Sequence, residues 1–318
     1  MYKIWKFICV VLFLAGFSST GVALDQVRLS TFPSYGKNAG LLWALESGLF
    51  SQNNIDFKLI DTYQDTSIMT GAGHADVAQI LCSSVGLLAQ RGADYQVIAV
   101  RDQRNPIATV SLPIAKISKP ADFANKRWGY TASFSPEQHL IARMGGQFGF
   151  DSGSIRKVNL DFSARVPALL RGDVDFISAW YGSALPPIAN AIRKAGHEPR
   201  VMRWDDLGID IYGECFIAKK SYIETNSELL RRWLSATESG FSHVLRAPVD
   251  GLQALRKRYG DTIGNDALVL ETINQANELL KGKPNGSMLI VTKTKLANTL
   301  QWLGVNYQGD VSALIWNR

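Results

Sequence analysis

Gly73-His-Ala-Asp76-Val-Ala-Gln-Ile80 and, further along, Gly172-Asp-Val-Asp175-Phe-Ile-Ser-Ala179 share one pattern. Each has a glycine, an aspartate three residues later and then an apolar run. Each follows a short helix, Thr66–Thr70 in the first case, and enters a strand of the kind buried on both faces of a parallel sheet. Each strand then leads to a helix closed by glycine, at Gly92 and at Gly196. The echo is open to two readings: a coincidence between ordinary helix-to-strand turns, or two lobes of similar topology. A length of 318 residues fits about two domains.

The flanking segments alternate in the same way. Val27–Phe32, Asp56–Ile60 and Gln96–Val100 read as strands. Asn38–Ser47, with Leu41, Leu42 and Leu45 on one face and Gly48 as its stop, and Ser84–Gln90 read as helices. The pattern restarts with strands Arg127–Tyr130, Arg156–Leu160 and Asp175–Ala179. Its helices are Ser135–Phe148, with Pro136 and Glu137 in the first turn, and Leu185–Ala195. From Asn226 the chain is helical, over Ser227–Val244, Pro248–Tyr259, Asp266–Leu280 and Thr292–Leu303. The class is α/β, with mainly parallel sheets flanked by helices. Arg101–Pro113 and Arg203–Glu214, rich in Pro, Asp, Gly and Arg, read as joins. They divide the chain into lobe I, 24–105 plus 211–318, and lobe II, 106–210. Two crossings form a hinge that permits closure and limits sliding.

Residues 1–23 read as a secretory signal peptide. Lys3 and Lys6 precede an apolar run from Phe7 to Phe17, too short for a bilayer span of about 20 residues. Small residues then lead to a cut after Ala23. Cys9 lies inside the run rather than at the cut, so no lipid anchor is expected. Export leaves Cys82 and Cys215 in an oxidising compartment, as one long-range bridge or as two buried thiols. With 46% apolar and 19% charged residues, the chain is not disordered. Without the first two lysines its net charge is +4, too mild for a nucleic-acid surface.

Five segments carry a family resemblance. Leu42-Trp-Ala-Leu-Glu-Ser-Gly-Leu-Phe50 is similar to the "A-x-E-x-G-(L/Y)-F" segment of solute-binding proteins in the NMT1/THI5-like and sulfonate/nitrate/taurine group. Gly71–Asp76 resembles their "G-x-A-D" turn, and Pro120–Gly129 their "D-L-K-G-K-x-(I/V)-G" segment, with Asn125 where glycine is usual. Ala168–Asp175 resembles "A-L-x-x-G-x-V-D", and Asp210–Gly213 with Phe216–Lys219 resembles the return strand. The resemblance implies a two-lobed periplasmic-binding-protein fold of type II. It also implies periplasmic capture of a small molecule for the membrane permease of an ABC importer, by a monomer without a cofactor. In that group the return strand runs antiparallel within the first sheet, which would make Cys82 and Cys215 neighbours.

Catalytic motifs are missing: there is no G-x-S-x-G, H-E-x-x-H, P-loop or G-x-G-x-x-G. His74, His139, His197 and His243 are scattered. The cysteine-rich signature of the fungal thiamine-pyrimidine synthases of the broad family is absent too, so no enzyme is expected. A ligand belongs beyond the carboxyl ends of the strands. In lobe I those ends offer Ser34, Tyr35, Tyr63, Cys82, Ser83 and Ser84. In lobe II they offer Thr131, Ser133, Ser135, Trp180 and Tyr181, and the return crossover adds Asp210, Tyr212 and Glu214. Hydroxyls at helix starts suit an anion, although serines there are also plain caps. Aromatic faces suit a ring. Arg101, Arg104 and Arg165 are the candidate cleft arginines. Asp210 and Glu214 would repel an anion but accept from amino groups. The expected ligand is therefore a planar heteroaromatic metabolite such as a thiamine pyrimidine precursor, with a sulfonate, taurine or nitrate-like anion as the alternative.

Overall fold

Asp76 and Asp175 anchor the two echo strands by one device. Asp76 Oδ2 accepts from the backbone N–H of Arg28 (2.8 Å) and from its Nε (3.0 Å), while Oδ1 accepts from a terminal guanidinium nitrogen (2.7 Å). Asp175 does the same to Arg127, at 2.7, 3.1 and 2.8 Å. Both pairs are 48 residues apart in sequence. A forked, charge-assisted contact of this kind fixes the register at the start of two neighbouring strands. The echo therefore marks a repeated architecture.

The computed structural model describes residues 23–33, 35–63, 65–131, 137–282 and 288–317. The expected leader up to residue 22 lies outside the described residues, as do Ser34, Ser133 and Ser135. The first part of the chain runs β1 (Asp25–Thr31), α1 (Tyr35–Glu46), α2 (Leu49–Gln52), β2 (Ile55–Asp61), α3 (Thr66–Gly71), β3 (Val77–Leu81), α4 (Ser84–Gln90) and β4 (Tyr95–Val100). The second runs β5 (Ile107–Ser111), β6 (Arg127–Tyr130), α5 (Glu137–Phe148), β7 (Arg156–Asn159), α6 (Arg165–Arg171), β8 (Phe176–Trp180), α7 (Leu185–Lys194) and β9 (Arg200–Arg203). The chain then returns through β10 (Glu214–Lys219) into α8 (Lys220–Arg246), α9 (Pro248–Tyr259), α10 (Asp266–Leu280) and α11 (Lys293–Trp302).

Two five-stranded sheets result, ordered β2-β1-β3-β10-β4 and β7-β6-β8-β5-β9. In each, one strand opposes the other four: β10 is antiparallel to β3 and β4, and β5 to β8 and β9. The sheets are thus mixed, with the parallel direction prevailing. β5 corrects the reading of 101–113 as mere connection, because all five of its residues are buried in the middle of the second sheet.

Both faces of each sheet are covered by apolar clusters. Trp128 and Trp233 are fully buried, and Trp43 stacks on His243 with ring centroids 3.6 Å apart. Helix α1 crosses α8 at two glycines. A Cβ on Gly240 would lie 2.5 Å from the Gly40 carbonyl oxygen, and one on Gly40 would lie 2.4 Å from the Phe241 ring. The start of α1 lies against an end of the first sheet, where Lys37 meets Glu214, the first residue of β10. Leu279 of α10 and Trp302 of α11 insert into the clusters of the second sheet, so the terminal helices touch both halves.

The two crossovers lie side by side. Gly213 N–H donates to the Asp102 carbonyl (3.0 Å), and Asn105 Nδ2 to the Ile209 carbonyl (3.2 Å). Arg104 Nε donates to Asp205 Oδ2 (2.9 Å), which gives the acidic Asp205 a partner at this join. Cys82 and Cys215 form a disulfide, with Cα atoms 5.0 Å apart, across the antiparallel pair β3–β10.

Candidate functional site: an interlobe cavity

A cavity of about 480 Å³ opens where the carboxyl ends of the two sheets face each other. Phe32 and Pro33 follow β1, Leu81 ends β3 and Glu214 begins β10. Phe162 follows β7, Trp180 ends β8, Ser183 and Ala184 come from the turn into α7, and Pro187 from its first turn. Ile263, Leu268, Val269 and Thr272 close one end. Such a wall, mostly apolar with a few polar groups, suits a small organic ligand.

Its charged member is Glu214. Gln79 Nε2 donates to Glu214 Oε2 at 2.7 Å, and Lys37 Nζ lies 3.2 Å from the same oxygen. Lys37, buried at the start of α1, also bonds Asp102 Oδ2 (2.8 Å), and Arg101 pairs with Asp102 Oδ1 (2.5 Å). Lys37 and Arg101 thus balance Asp102 and Glu214 in a neutral cluster beneath the cavity. Both side-chain donors meet one carboxylate oxygen, and among the described residues Oε1 has no hydrogen-bond donor. The protein therefore presents a fixed acceptor. Among the described residues, no arginine or lysine lines the cavity. Arg101 is committed to Asp102, Arg104 to Asp205, and Arg165 is buried with one N–H on the Ser178 carbonyl (2.7 Å).

The second polar arrangement lies behind Trp180. The indole Nε1–H donates to Glu137 Oε1 at 3.1 Å, and Lys37 Nζ stands 5.4 Å from the ring centroid. Burial pushes the Glu137 carboxyl pKa up, while Trp180 and the Arg165 charge oppose this. Burial lowers the Arg165 pKa. The Arg165 guanidinium lies 4.2 Å from the centroid of the Phe162 ring.

Of the residues expected at the site, the structure brings Trp180 and Glu214 together on the cavity wall. Tyr35 opens α1. Tyr63 is exposed and meets the lining Phe32 edge-on at 5.1 Å. Cys82 is displaced from the list, because its sulfur is bonded to Cys215 and the residue is fully buried. Ser83 and Ser84 start α4 without lining the cavity, and the Ser83 side chain makes no cap bond. Tyr212 is a core residue whose hydroxyl lies 3.3 Å from Thr292 Oγ1. Asp210 pairs with Lys295 away from the cavity. Thr131 has a buried hydroxyl without a partner among the described residues, and it does not line the cavity. Tyr181 packs away from Trp180 under the Arg203 guanidinium, 3.8 Å from its ring. Burial and the Glu278 carboxylate push its phenol pKa up to about 12. Phe162, in the Asp161–Ser163 strand end read from the sequence, does line the cavity, whereas Phe32, Lys37, Gln79 and Glu137 are the site residues that sequence reading missed.

This placement separates two neighbours. Trp180→Ala is expected to weaken ligand binding by about 1–3 kcal/mol, the scale of a lost ring contact. Tyr181→Phe is expected to leave affinity unchanged. Calorimetric titration of both variants checks the contrast, and equal losses would reject it.

Comparisons with known proteins agree with the architecture. The sequence model of the NMT1/THI5 like family matches residues 36–250. The formylaminopyrimidine-binding protein of Halalkalibacterium halodurans is 21% identical over 297 residues, covering 90% of this chain and 88% of that protein. The taurine-binding periplasmic protein of Escherichia coli is 22% identical over 209 residues, 64% of this chain and 60% of that protein. Among solved structures, the periplasmic aliphatic sulphonate binding protein of Escherichia coli superposes with a TM-score of 0.73 at 16% identity, over 92% of this chain and 97% of that one. An alkanesulfonate-binding protein from Xanthomonas axonopodis pv. citri, bound to MOPS, gives 0.66 at 15% identity, over 93% and 99%.

Proposed function

The chain belongs to the NMT1/THI5 like family, and on that premise we propose that it captures a neutral or cationic planar heteroaromatic metabolite of the aminopyrimidine class. It would do so between its lobes, as an exported monomer, and deliver the ligand to an ABC importer. The observation that carries this reading is the Glu214 carboxylate on the cavity wall, with one oxygen held by Gln79 and Lys37 and the other open to a ligand N–H. An amino-substituted ring supplies that N–H and a flat face for Trp180. The formylaminopyrimidine-binding relative supports the class.

A sulfonate is the second reading, favoured by the taurine-binding relative. The cavity argues against it, because a sulfonate needs converging donors and here meets a carboxylate and apolar walls. The relatives are binding proteins, and the family motifs of this chain carry no catalytic constellation. Among the described residues, no helix is long and apolar enough to cross a membrane. With lobe I as 24–105 plus 211–318 and lobe II as 106–210, closure would bend the paired crossovers.

A thermal-shift screen of the protein lacking residues 1–23, against formylaminopyrimidine, simpler aminopyrimidines, taurine and alkanesulfonates, tests the assignment. A bound ligand raises the melting temperature by mass action. Pyrimidines are expected to stabilise and sulfonates not. Glu214→Gln should weaken pyrimidine binding by about 2 kcal/mol, roughly thirtyfold, the scale of a hydrogen bond to a charged group. It should not weaken any sulfonate binding, since it removes a repulsive charge. Stabilisation by sulfonates alone would replace the reading with its alternative.

A further inference from the structure

Glu137 is a costly residue in its position. It is the first residue of α5, only 6% exposed, and among the described residues its Oε2 has no hydrogen-bond partner. A carboxylate so far from water is destabilising unless its charge and lone pairs are matched. The matches present are its own backbone N–H, the Trp180 indole on Oε1, and the charge of Arg165, which forms no ion pair with it within 4 Å. What Glu137 does that an apolar side chain cannot do is hold the indole N–H.

Indole is a donor with no acceptor, so a tryptophan at a cavity wall either turns its N–H to water or binds one acceptor. Here the acceptor is anchored on a twelve-residue helix, and the bond fixes the orientation of the ring. Lys37, from the other half of the molecule, stands with its ammonium 5.4 Å from the ring centroid. We infer that Glu137 is a positioning residue, whose carboxylate sets the Trp180 indole as a rigid ring-binding wall. The inference rests on the reading of the cavity as a heteroaromatic site, and it names the residue that preorganises that site.

Three variants test it: Glu137→Gln keeps an acceptor oxygen, Glu137→Met removes it at similar volume, and Trp180→Phe removes the N–H. In ligand-free protein, the Trp180 indole N–H resonance, identified by its loss in Trp180→Phe, should exchange slowly with solvent in wild type and in Glu137→Gln. It should exchange rapidly in Glu137→Met. Calorimetric titration with formylaminopyrimidine should give Glu137→Gln within about threefold of wild type and Glu137→Met about tenfold weaker. On the Trp180→Phe background, Glu137→Met should add no further loss, because the interaction is already gone. Slow exchange and full affinity in Glu137→Met would overturn the proposal. Should Glu137→Met fail to fold, rapid indole exchange in the wild type would overturn it and slow exchange would uphold it. If wild type binds no aromatic probe, the functional reading falls, while the indole exchange still decides whether Glu137 holds the ring.

Discussion

Lys37→Met is expected to destabilise the protein by about 3–5 kcal/mol, the range for removing one partner from a buried ion cluster. The Lys37 side chain is 1% exposed, and its ammonium serves Asp102 and Glu214 together. Methionine matches its volume but leaves two carboxylates with Arg101 alone. Burial by itself would raise the Asp102 pKa, but the charges of Lys37 and Arg101 and their hydrogen bonds outweigh it and hold it below the usual 3.8. A group depressed on folding contributes stability above its unfolded pKa and loses it as pH falls through the folded value. In wild type that loss therefore comes only in strong acid. Without Lys37 the Asp102 pKa rises, and the acid limb of the stability profile should move to higher pH. Urea unfolding at pH 7 and across the acid range measures both effects. A variant with the wild-type midpoint and acid limb would show the cluster to be energetically idle.

The second large effect concerns Cys82 and Cys215. Replacing both with Ala should lower stability by about 2–5 kcal/mol. The upper end follows from the chain-entropy model for a bridge spanning 133 positions. Thiol titration of the denatured, unreduced protein lacking residues 1–23 should find no free thiol, and two per chain would refute the bridge. The variant should also bind ligand more weakly. Leu81 and Glu214, register partners next to the bridge, both line the cavity. The disulfide thus clamps the strand that presents the carboxylate.

What could be read in the sequence follows from physics that acts locally. Ser84–Gln90, Arg127–Tyr130, Pro248–Tyr259 and Asp266–Leu280 emerge with the expected limits, because periodicity, proline and glycine write their ends directly. β5 was hidden because Pro106 and the preceding charged residues read as a join, although Ile107–Ser111 is wholly buried. β9 was hidden because Arg200–Arg203 is short and charged, as suits a sheet edge. The site was legible only in part. Trp180 and Tyr181 are adjacent at a strand end, and successive side chains leave a strand on opposite faces. Sequence named the pair but had no way of choosing the member that faces the cavity. Nothing in the sequence singles out Lys37 or Gln79 as site residues, and only the tertiary fold carries Lys37 into the interior. Glu137 was legible as a residue of the first turn of a helix, but its tryptophan partner 43 positions away was not.

The place of β10 between β3 and β4 also sets an order in time. Every strand of the second sheet lies between residues 107 and 203, whereas the first sheet lacks an interior strand until residue 219 has appeared. A chain emerging N-terminus first can finish the later-made sheet while the earlier-made one still waits, with the edges of β3 and β4 unpaired. Those exposed edges are the aggregation-prone stage of assembly. Pairing across such a sequence distance is also slow. The half of the molecule that begins first is completed last.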